Sequence, residues 1–108
     1  MFIGISTYFK PLEELDALYP AHFAWIMKYY TSGVILGSGP RVPRTGGVLI
    51  GRAESLEAFR ALLDEDPFVQ NGAARYEIVE FSPGPLPRRS AELEAFLSRP
   101  ILTEQTAT

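Results

Sequence analysis

The sequence contains no cysteine and only one histidine among its 108 residues. Without cysteine the chain can form no disulfide, thiolate metal site or thiol nucleophile, and an iron–sulfur electron carrier is excluded. A transition-metal site would depend mainly on carboxylates, because a single imidazole is available, so we expect neither a metal nor another cofactor. His22 is therefore the side chain whose charge most readily changes near neutral pH.

Basic residues are also few: ten Lys and Arg stand against thirteen Asp and Glu, for a formal net charge of −3. Nucleic-acid binding requires a clustered basic face, and no such cluster is present. No apolar run approaches the roughly 18 residues that span a bilayer, and the N-terminus lacks the basic region of a signal peptide. We expect no nucleic-acid or membrane partner and, by default, a bacterial-type cytoplasmic location.

The residues that are present describe an ordinary globular domain, 46% hydrophobic and 12% aromatic. Alternating and apolar runs predict four strands, over residues 2–9, 34–38, 47–53 and 74–82. Helical spacing predicts a short turn at 12–18 and helices over 20–32 and 56–64. The resulting order, β-α-β-β-α-β, predicts a ferredoxin-like α+β fold, in which both helices cover one face of an antiparallel sheet.

The predicted helix over 20–32 begins at Pro20, which suits the first position of a helix. Its expected buried stripe consists of Phe23, Ile26, Met27 and Tyr30.

The second face of the predicted sheet has no cover within the chain. Bulky apolar side chains occur on both sides of the first strand, so we expect a homodimer or a larger oligomer to bury that face. After Ser82 the composition changes to a Pro-rich spacer, followed by a short amphipathic helix over 90–98. We therefore divide the chain into a domain of residues 1–83 and an extension of residues 84–108.

His22 is the first candidate for a working residue. As the third residue of a helix starting at Pro20, it would lie at the positive end of the helix dipole, which favours a neutral imidazole. A neutral imidazole can act as a general base. The ordinary alternative, favoured by position alone, is a partly buried histidine bonded to a backbone carbonyl.

Asp66 is the second candidate, because it closes the acidic run Asp64-Glu65-Asp66 at the end of a predicted helix. Acidic groups are unfavourable at that end of a helix, and a locally unfavourable residue suggests function. An aspartate before a proline is also a common start of a turn. The pattern leaves open whether Asp66 and His22 meet.

The loop after the second strand supplies the remaining candidates. Ser38, Gly39 and Pro40 are placed to line a ligand site, and Arg41 and Arg44 are placed to bind an anion. A simple turn with two solvated arginines is the alternative for this segment.

Several segments together resemble the YCII-related family in the right order over roughly residues 2–83. They are Pro20-Ala21-His22-Phe23, Gly33-x-x-x-x-Ser38-Gly39-Pro40, Glu54-Ser55-Leu56-Glu57-Ala58 and Asp66-Pro67-Phe68-Val69-x-x-Gly72. The resemblance implies a ferredoxin-like fold that pairs into a dimeric α+β barrel. It also implies a histidine–aspartate dyad, carried here onto His22 and Asp66, with Phe68 beside the substrate. One characterised type of relative removes chloride from a chlorinated hydroxyhydroquinone, and neighbours in the wider superfamily isomerise or dehalogenate lactones.

Two functions follow from this resemblance. The first is a cofactor-independent lyase, isomerase or dehalogenase, in which His22 and Asp66 transfer a proton on a small aromatic or lactone-like substrate. The second is a non-catalytic dimeric module that binds a small ligand or a partner protein.

The chain departs from the family at Tyr19, where an arginine is frequent, and in its extension beyond residue 83.

Overall fold

The computed structural model describes residues 1–84 and 90–102. It contains, in chain order, β1 (Phe2–Tyr8), α1 (Leu12–Thr31), β2 (Ile35–Pro40), β3 (Gly47–Gly51), α2 (Leu56–Leu63), α3 (Pro67–Gln70), β4 (Ala74–Glu80) and α4 (Ala91–Ser98). The predicted β-α-β-β-α-β order is confirmed, with the one-turn helix α3 added before β4. The spacer predicted after Ser82 lies largely outside the described residues.

The four strands form one antiparallel sheet in the order β2-β3-β1-β4. On β1, Phe2, Gly4 and Ser6 are buried against the helices. The register sets Ser6 opposite Tyr76 of β4 and Gly4 opposite Leu49 of β3. The helices α1 and α2 pack on this face of the sheet. The main core between them and the sheet contains Phe2, Trp25, Ile26, Val34, Ile35, Leu49, Phe59, Leu62 and Leu63. The ferredoxin-like α+β fold is confirmed.

The helix predicted to begin at Pro20 instead begins at Leu12, and α1 runs through Pro20 for 20 residues. A proline inside a helix removes one backbone donor but leaves the rest of the hydrogen-bond ladder available. Packing on both sides of Pro20 favours the continuous helix, because Leu15 is buried with Phe68 and Ile26 belongs to the main core. His22 therefore lies in the helix interior, and the predicted effect of the helix N-terminus on its charge is wrong.

The buried stripe predicted for this helix is also wrong in part. Trp25 is buried beside Ile26, whereas Phe23 and Met27 remain 48% and 42% exposed. Phe23, Ile26, Met27 and Tyr30 line an open cavity that separates this side of α1 from the sheet. The apolar spacing therefore marks the wall of a cavity as well as core packing.

The sheet face opposite the helices carries apolar side chains on three neighbouring strands. Ile3 lies between Ile50 and Val79 in the register, and Ile5 lies opposite Val48. Val48 and Val79 are 39% and 47% exposed. The helices α1 and α2 pack on the other face, so these side chains form an apolar surface that neither of them covers.

The helix α4 is attached to the end of the sheet. Its Phe96 is 1% exposed, and the Arg52 guanidinium lies 4.7 Å from the centre of that ring. Arg52 Nη1 donates to the Leu97 carbonyl across 3.0 Å, and Leu102 N donates to the Ser32 carbonyl across 2.8 Å. Burial, and next the positive charge of Arg99, lower the pKa of Arg52. The division of the chain at residue 83 stays a prediction.

None of the helices in residues 1–84 and 90–102 is both long and apolar enough to cross a membrane.

Candidate active site

A cavity of about 570 Å³ lies between α1 and the helix-facing side of the sheet. Small-molecule sites commonly occupy roughly 300–1,000 Å³. Its wall includes Ser6, Tyr8, Asp16, Tyr19, His22, Phe23, Ile26, Met27, Tyr30, Ser38, Gly39, Pro40, Arg44, Gly47, Val48, Leu49, Phe68 and Tyr76. Aromatic and aliphatic groups dominate this wall, with a few polar groups among them, which suits a small ring-containing ligand.

His22 reaches this wall from the middle of α1. Its Nδ1 donates to Asp66 Oδ1 across 2.7 Å, and its side chain is 16% exposed. The imidazole lies flat against the Phe68 ring, with centroids 4.0 Å apart and planes 4° apart. Nε2 has no hydrogen-bond partner among residues 1–84 and 90–102. The Nδ1 bond to a carboxylate fixes the tautomer that carries a lone pair on Nε2.

Asp66 is held by the turn between α2 and α3. It caps the N-terminus of α3, where its Oδ1 accepts from Phe68 N across 2.9 Å, and Pro67 occupies the first helical position. The carboxylate is 0% exposed. The prediction that Asp66 is locally unfavourable at the end of a helix is wrong, because an aspartate is among the preferred residues at an N-cap.

Tyr76 of β4 binds the other oxygen of the same carboxylate, and its hydroxyl donates to Asp66 Oδ2 across 2.7 Å. Burial, and next the negative charge of Asp66, raise the pKa of Tyr76 far above its usual value. The hydroxyl therefore remains a donor throughout the neutral range. Three donors from α1, α3 and β4 thus surround a buried carboxylate, which offsets the cost of removing its charge from water.

The sequence did not identify Tyr76. Tyr76 and Ile78 alternate onto one face of β4, but the local sequence does not show which face of this strand is buried. The pairing of Ser6 with Tyr76 aims the tyrosine at the cavity, and a register between distant strands is not encoded in local spacing.

Of the loop candidates, Ser38, Gly39 and Pro40 lie on the cavity wall together with Phe68. The Ser38 hydroxyl is 2.9 Å from the hydroxyl of Tyr30, a residue that the sequence assigned only to core packing. This pair retains hydrogen-bonding capacity for an oxygen of a ligand.

The two arginines of the loop have different positions. Arg44 lines the cavity and pairs with Asp16 across 2.6 Å, with both side chains partly in solvent. Arg41 Nη1 instead lies 3.4 Å from the Ser6 carbonyl, and Arg41 is absent from the cavity wall. The anion-binding role of Arg41 stays a prediction, and the geometry makes Arg44 the arginine nearer to a bound ligand.

In the part of the chain that the structure describes, no three His, Asp or Glu side chains are grouped as they would be to hold a metal ion.

Comparison with known proteins agrees with this fold. The family model of the YCII-related domain matches residues 1–82. Protein YciI of Escherichia coli and that of Shigella flexneri are each 35% identical over 83 residues, covering 67% of this chain and 82% of the relative.

A solved structure of similar fold is 5-chloro-2-hydroxyhydroquinone dehydrochlorinase (TftG) of Burkholderia phenoliruptrix, in complex with 2,5-dihydroxybenzoquinone. The TM-score is 0.65 at 24% identity, over 78% of this chain and 96% of that chain. This likeness concerns the fold. Since the family model spans most of the chain, and two relatives share more than a third of the aligned residues, the protein belongs to the YCII-related domain family.

Proposed function

We propose that this protein is a small-molecule enzyme in which His22 and Asp66 act as a dyad that transfers a proton on a small cyclic substrate. The substrate is aromatic or lactone-like, and the reaction is of the lyase, isomerase or dehalogenase type. The observation that carries the proposal is the 2.7 Å bond between His22 Nδ1 and the fully buried Asp66, at the wall of a cavity.

The chemistry follows from the fixed tautomer. Nε2 accepts a proton from a hydroxyl or an acidic carbon of the substrate, and the Asp66 carboxylate stabilises the imidazolium that forms. In a dehalogenation of a halogenated hydroxyhydroquinone, the electron pair left on one oxygen moves through the ring, and the carbon that carries the halogen takes up a proton. Loss of a second hydroxyl proton then sends an electron pair through the ring, and the halide departs from that carbon with its bonding electrons. The net change is loss of one hydrogen halide, so the step needs no oxidant or reductant.

The cavity supports a flat substrate. Phe23, Ile26 and Met27 supply an apolar wall, and the hydroxyls of Tyr30 and Ser38 supply a partner for a substrate oxygen. The solved relative of similar fold, named for a dehydrochlorinase, was bound to a dihydroxybenzoquinone, which is a ligand of this size and chemistry. Gly39, Pro40 and Phe68 complete the proposed binding surface.

A homodimer forms part of the proposal. The apolar sheet face of Ile3, Ile5, Val48, Ile50 and Val79 is continuous across three strands, and a second copy would bury it by the same residues from each side. A cytoplasmic location stays a prediction.

The test measures turnover of two substrate classes. Chloride release from 5-chloro-2-hydroxyhydroquinone is followed under nitrogen, because hydroxyhydroquinones react with oxygen, and chlorinated lactones are followed by absorbance. We expect His22→Ala to lower kcat/KM by about 10²- to 10⁴-fold, the usual contribution of a general base. Glu13→Gln, an exposed site on the same helix, is the control and keeps native turnover.

Undiminished turnover in His22→Ala would contradict proton transfer by His22. A native chain that binds 2,5-dihydroxybenzoquinone but turns over neither class would favour the non-catalytic ligand-binding module.

A further inference from the structure

Tyr76 contacts the proposed dyad on the side away from the imidazole. Its hydroxyl donates to Asp66 Oδ2, whereas His22 and the Phe68 backbone share Oδ1. Because Asp66 is 0% exposed, water does not solvate the charge that remains on Oδ2. Within residues 1–84 and 90–102, Tyr76 and His22 are the only side chains bonded to this carboxylate.

We propose that Tyr76 is a positioning residue that sets the proton affinity of His22 through Asp66. By sharing the negative charge of Oδ2, the hydroxyl weakens the attraction of the carboxylate for the imidazolium proton. His22 therefore returns to the neutral, base-competent form more readily than it would beside a carboxylate with a free oxygen. The consequence for turnover rests on the proposed function, whereas the proton equilibrium of His22 is measurable without any substrate.

The direction of this effect follows from hydrogen bonding to a charged group. A donor to a carboxylate favours its ionised form and reduces the charge density that other partners experience. Asp66 does not depend on Tyr76 for its location, because it also caps α3 through Phe68 N at 2.9 Å. Loss of the tyrosine hydroxyl should therefore leave the carboxylate in place but make it a stronger partner for the imidazolium.

Other charged and titratable groups near His22 act more weakly on it. Tyr19 on the same helix has its ring centre 6.1 Å from that of the imidazole. Asp16, also on α1, and Arg44 of the loop between β2 and β3 largely neutralise each other at 2.6 Å and are partly in solvent. The remaining titratable groups of the cavity wall are the hydroxyls of Tyr8 and Tyr30. In the described residues none of these groups is hydrogen-bonded to His22 or to Asp66.

The experiment is an NMR titration of His22, whose ring signals need no assignment because the chain has one histidine. In Tyr76→Phe we expect the titration midpoint to rise by about half a pH unit or more, as expected when a carboxylate loses a donor. Tyr30→Phe is the matched control, since it removes a hydroxyl from the same cavity that bonds Ser38 rather than Asp66. Its midpoint should equal the native one.

A second variant covers the case in which Tyr76→Phe does not fold. Site-specific 3-fluorotyrosine at position 76 keeps the ring and makes the hydroxyl a stronger donor, so the midpoint of His22 should fall below the native value. An unchanged midpoint in these variants, or a fall in Tyr76→Phe, would overturn the inference. A fall would indicate that Tyr76 merely holds Asp66 in place.

The two proposals fail separately. If an assay finds turnover, the acidic limb of its kcat/KM profile should move with the His22 midpoint in Tyr76→Phe. A shifted His22 midpoint with turnover that does not depend on His22 would contradict the proposed function and leave the role of Tyr76 intact. A native-like midpoint would overturn the role of Tyr76, whatever the chain catalyses.

Discussion

Asp66 is the residue on which the site depends most, because three donors from different elements converge on it. Its replacement by a smaller side chain leaves the His22 Nδ1, the Phe68 amide and the Tyr76 hydroxyl without their acceptor. Buried polar groups that lose a partner are costly, and the loss of a buried network is among the few causes of large destabilisation.

We therefore expect Asp66→Ala to lower the free energy of unfolding by about 3 kcal/mol or more. Asp64→Ala, two residues earlier in the same acidic run and exposed, should change the free energy of unfolding by less than about 0.5 kcal/mol. Urea unfolding followed by the fluorescence of the single tryptophan measures both variants. Equal stability of the two variants would contradict the buried network.

Because Tyr76 is buried beside Asp66, we expect the free energy of unfolding to depend on pH in the alkaline range. Burial, and next the charge of Asp66, raise the pKa of Tyr76, so the folded chain keeps this proton above about pH 10, where the unfolded chain releases it. The unfolded state then binds fewer protons, and the free energy of unfolding falls as pH rises. Below about pH 10 the contribution of Tyr76 is fully present.

The measurement compares the native chain with Tyr76→Phe between pH 8 and 11, a range about the usual tyrosine value. The native chain should lose stability more steeply above pH 10 than the variant, since the other tyrosines contribute equally to both. Parallel profiles would show that Tyr76 does not resist ionisation.

His22 and Asp66 were both candidates from the sequence, although the physical reasons given for each were wrong. His22 lies in the interior of α1 and not at the start of a helix. Asp66 is the N-cap of α3 and not the last residue of a helix. The pairing of His22 with Asp66 was predicted only from the resemblance of the ordered segments to the YCII-related family. Tyr76 could not be found in this way, because its role depends on the register between β1 and β4.

At the level of elements, the hairpin between β2 and β3 shapes one end of the cavity through a close approach of two backbones. A Cβ added at Gly46 would overlap the carbonyl oxygen of Ser6. The amide of the next residue, Gly47, donates to the Ser6 hydroxyl across 2.8 Å. Glycine at position 46 therefore permits the contact that joins this hairpin to β1.

We expect Gly46→Ala to lower the free energy of unfolding by at least about 2 kcal/mol, because the overlap is with backbone that cannot rotate away. Gly39→Ala is the control, since a Cβ there would meet no atom within 4 Å. Thermal unfolding of both variants gives the comparison. Native-like stability of Gly46→Ala would show that the hairpin does not require this approach.

Most elements could be predicted from the sequence because their signals are local. Ser55, a preferred N-cap residue, caps α2 with its hydroxyl accepting from Ala58 N across 3.0 Å, and Gly33 follows the end of α1 at a φ of 86°. The start of α1 could not be predicted, because Pro20 is a plausible first residue of a helix. Leu15 packs with Phe68 in a second hydrophobic cluster, and this packing favours the longer helix.

At the level of the whole molecule, the apolar sheet face predicts self-association. We expect the native chain to sediment as a dimer or larger, and the double variant Val48→Lys/Val79→Lys to sediment as a monomer. Two lysines per chain would place like charges across a face-to-face pair and keep apolar surface hydrated. Analytical ultracentrifugation distinguishes these states.

Leu12→Lys provides the control, because Leu12 is 43% exposed at the start of α1, away from this face. It should sediment like the native chain. A native chain that is monomeric at all concentrations would contradict the homodimer, whereas the fold and the cavity within each chain would stand.

The coupling of His22 to Asp66 is the central claim, and the NMR titration of the single histidine in Asp66→Asn tests it most directly. Removal of the negative charge should lower the titration midpoint of His22 by about one pH unit, because the imidazolium loses its partner. Asp64→Asn removes the charge of an exposed carboxylate and should leave the titration midpoint of His22 at its native value. Identical midpoints in the native chain and Asp66→Asn would contradict the dyad.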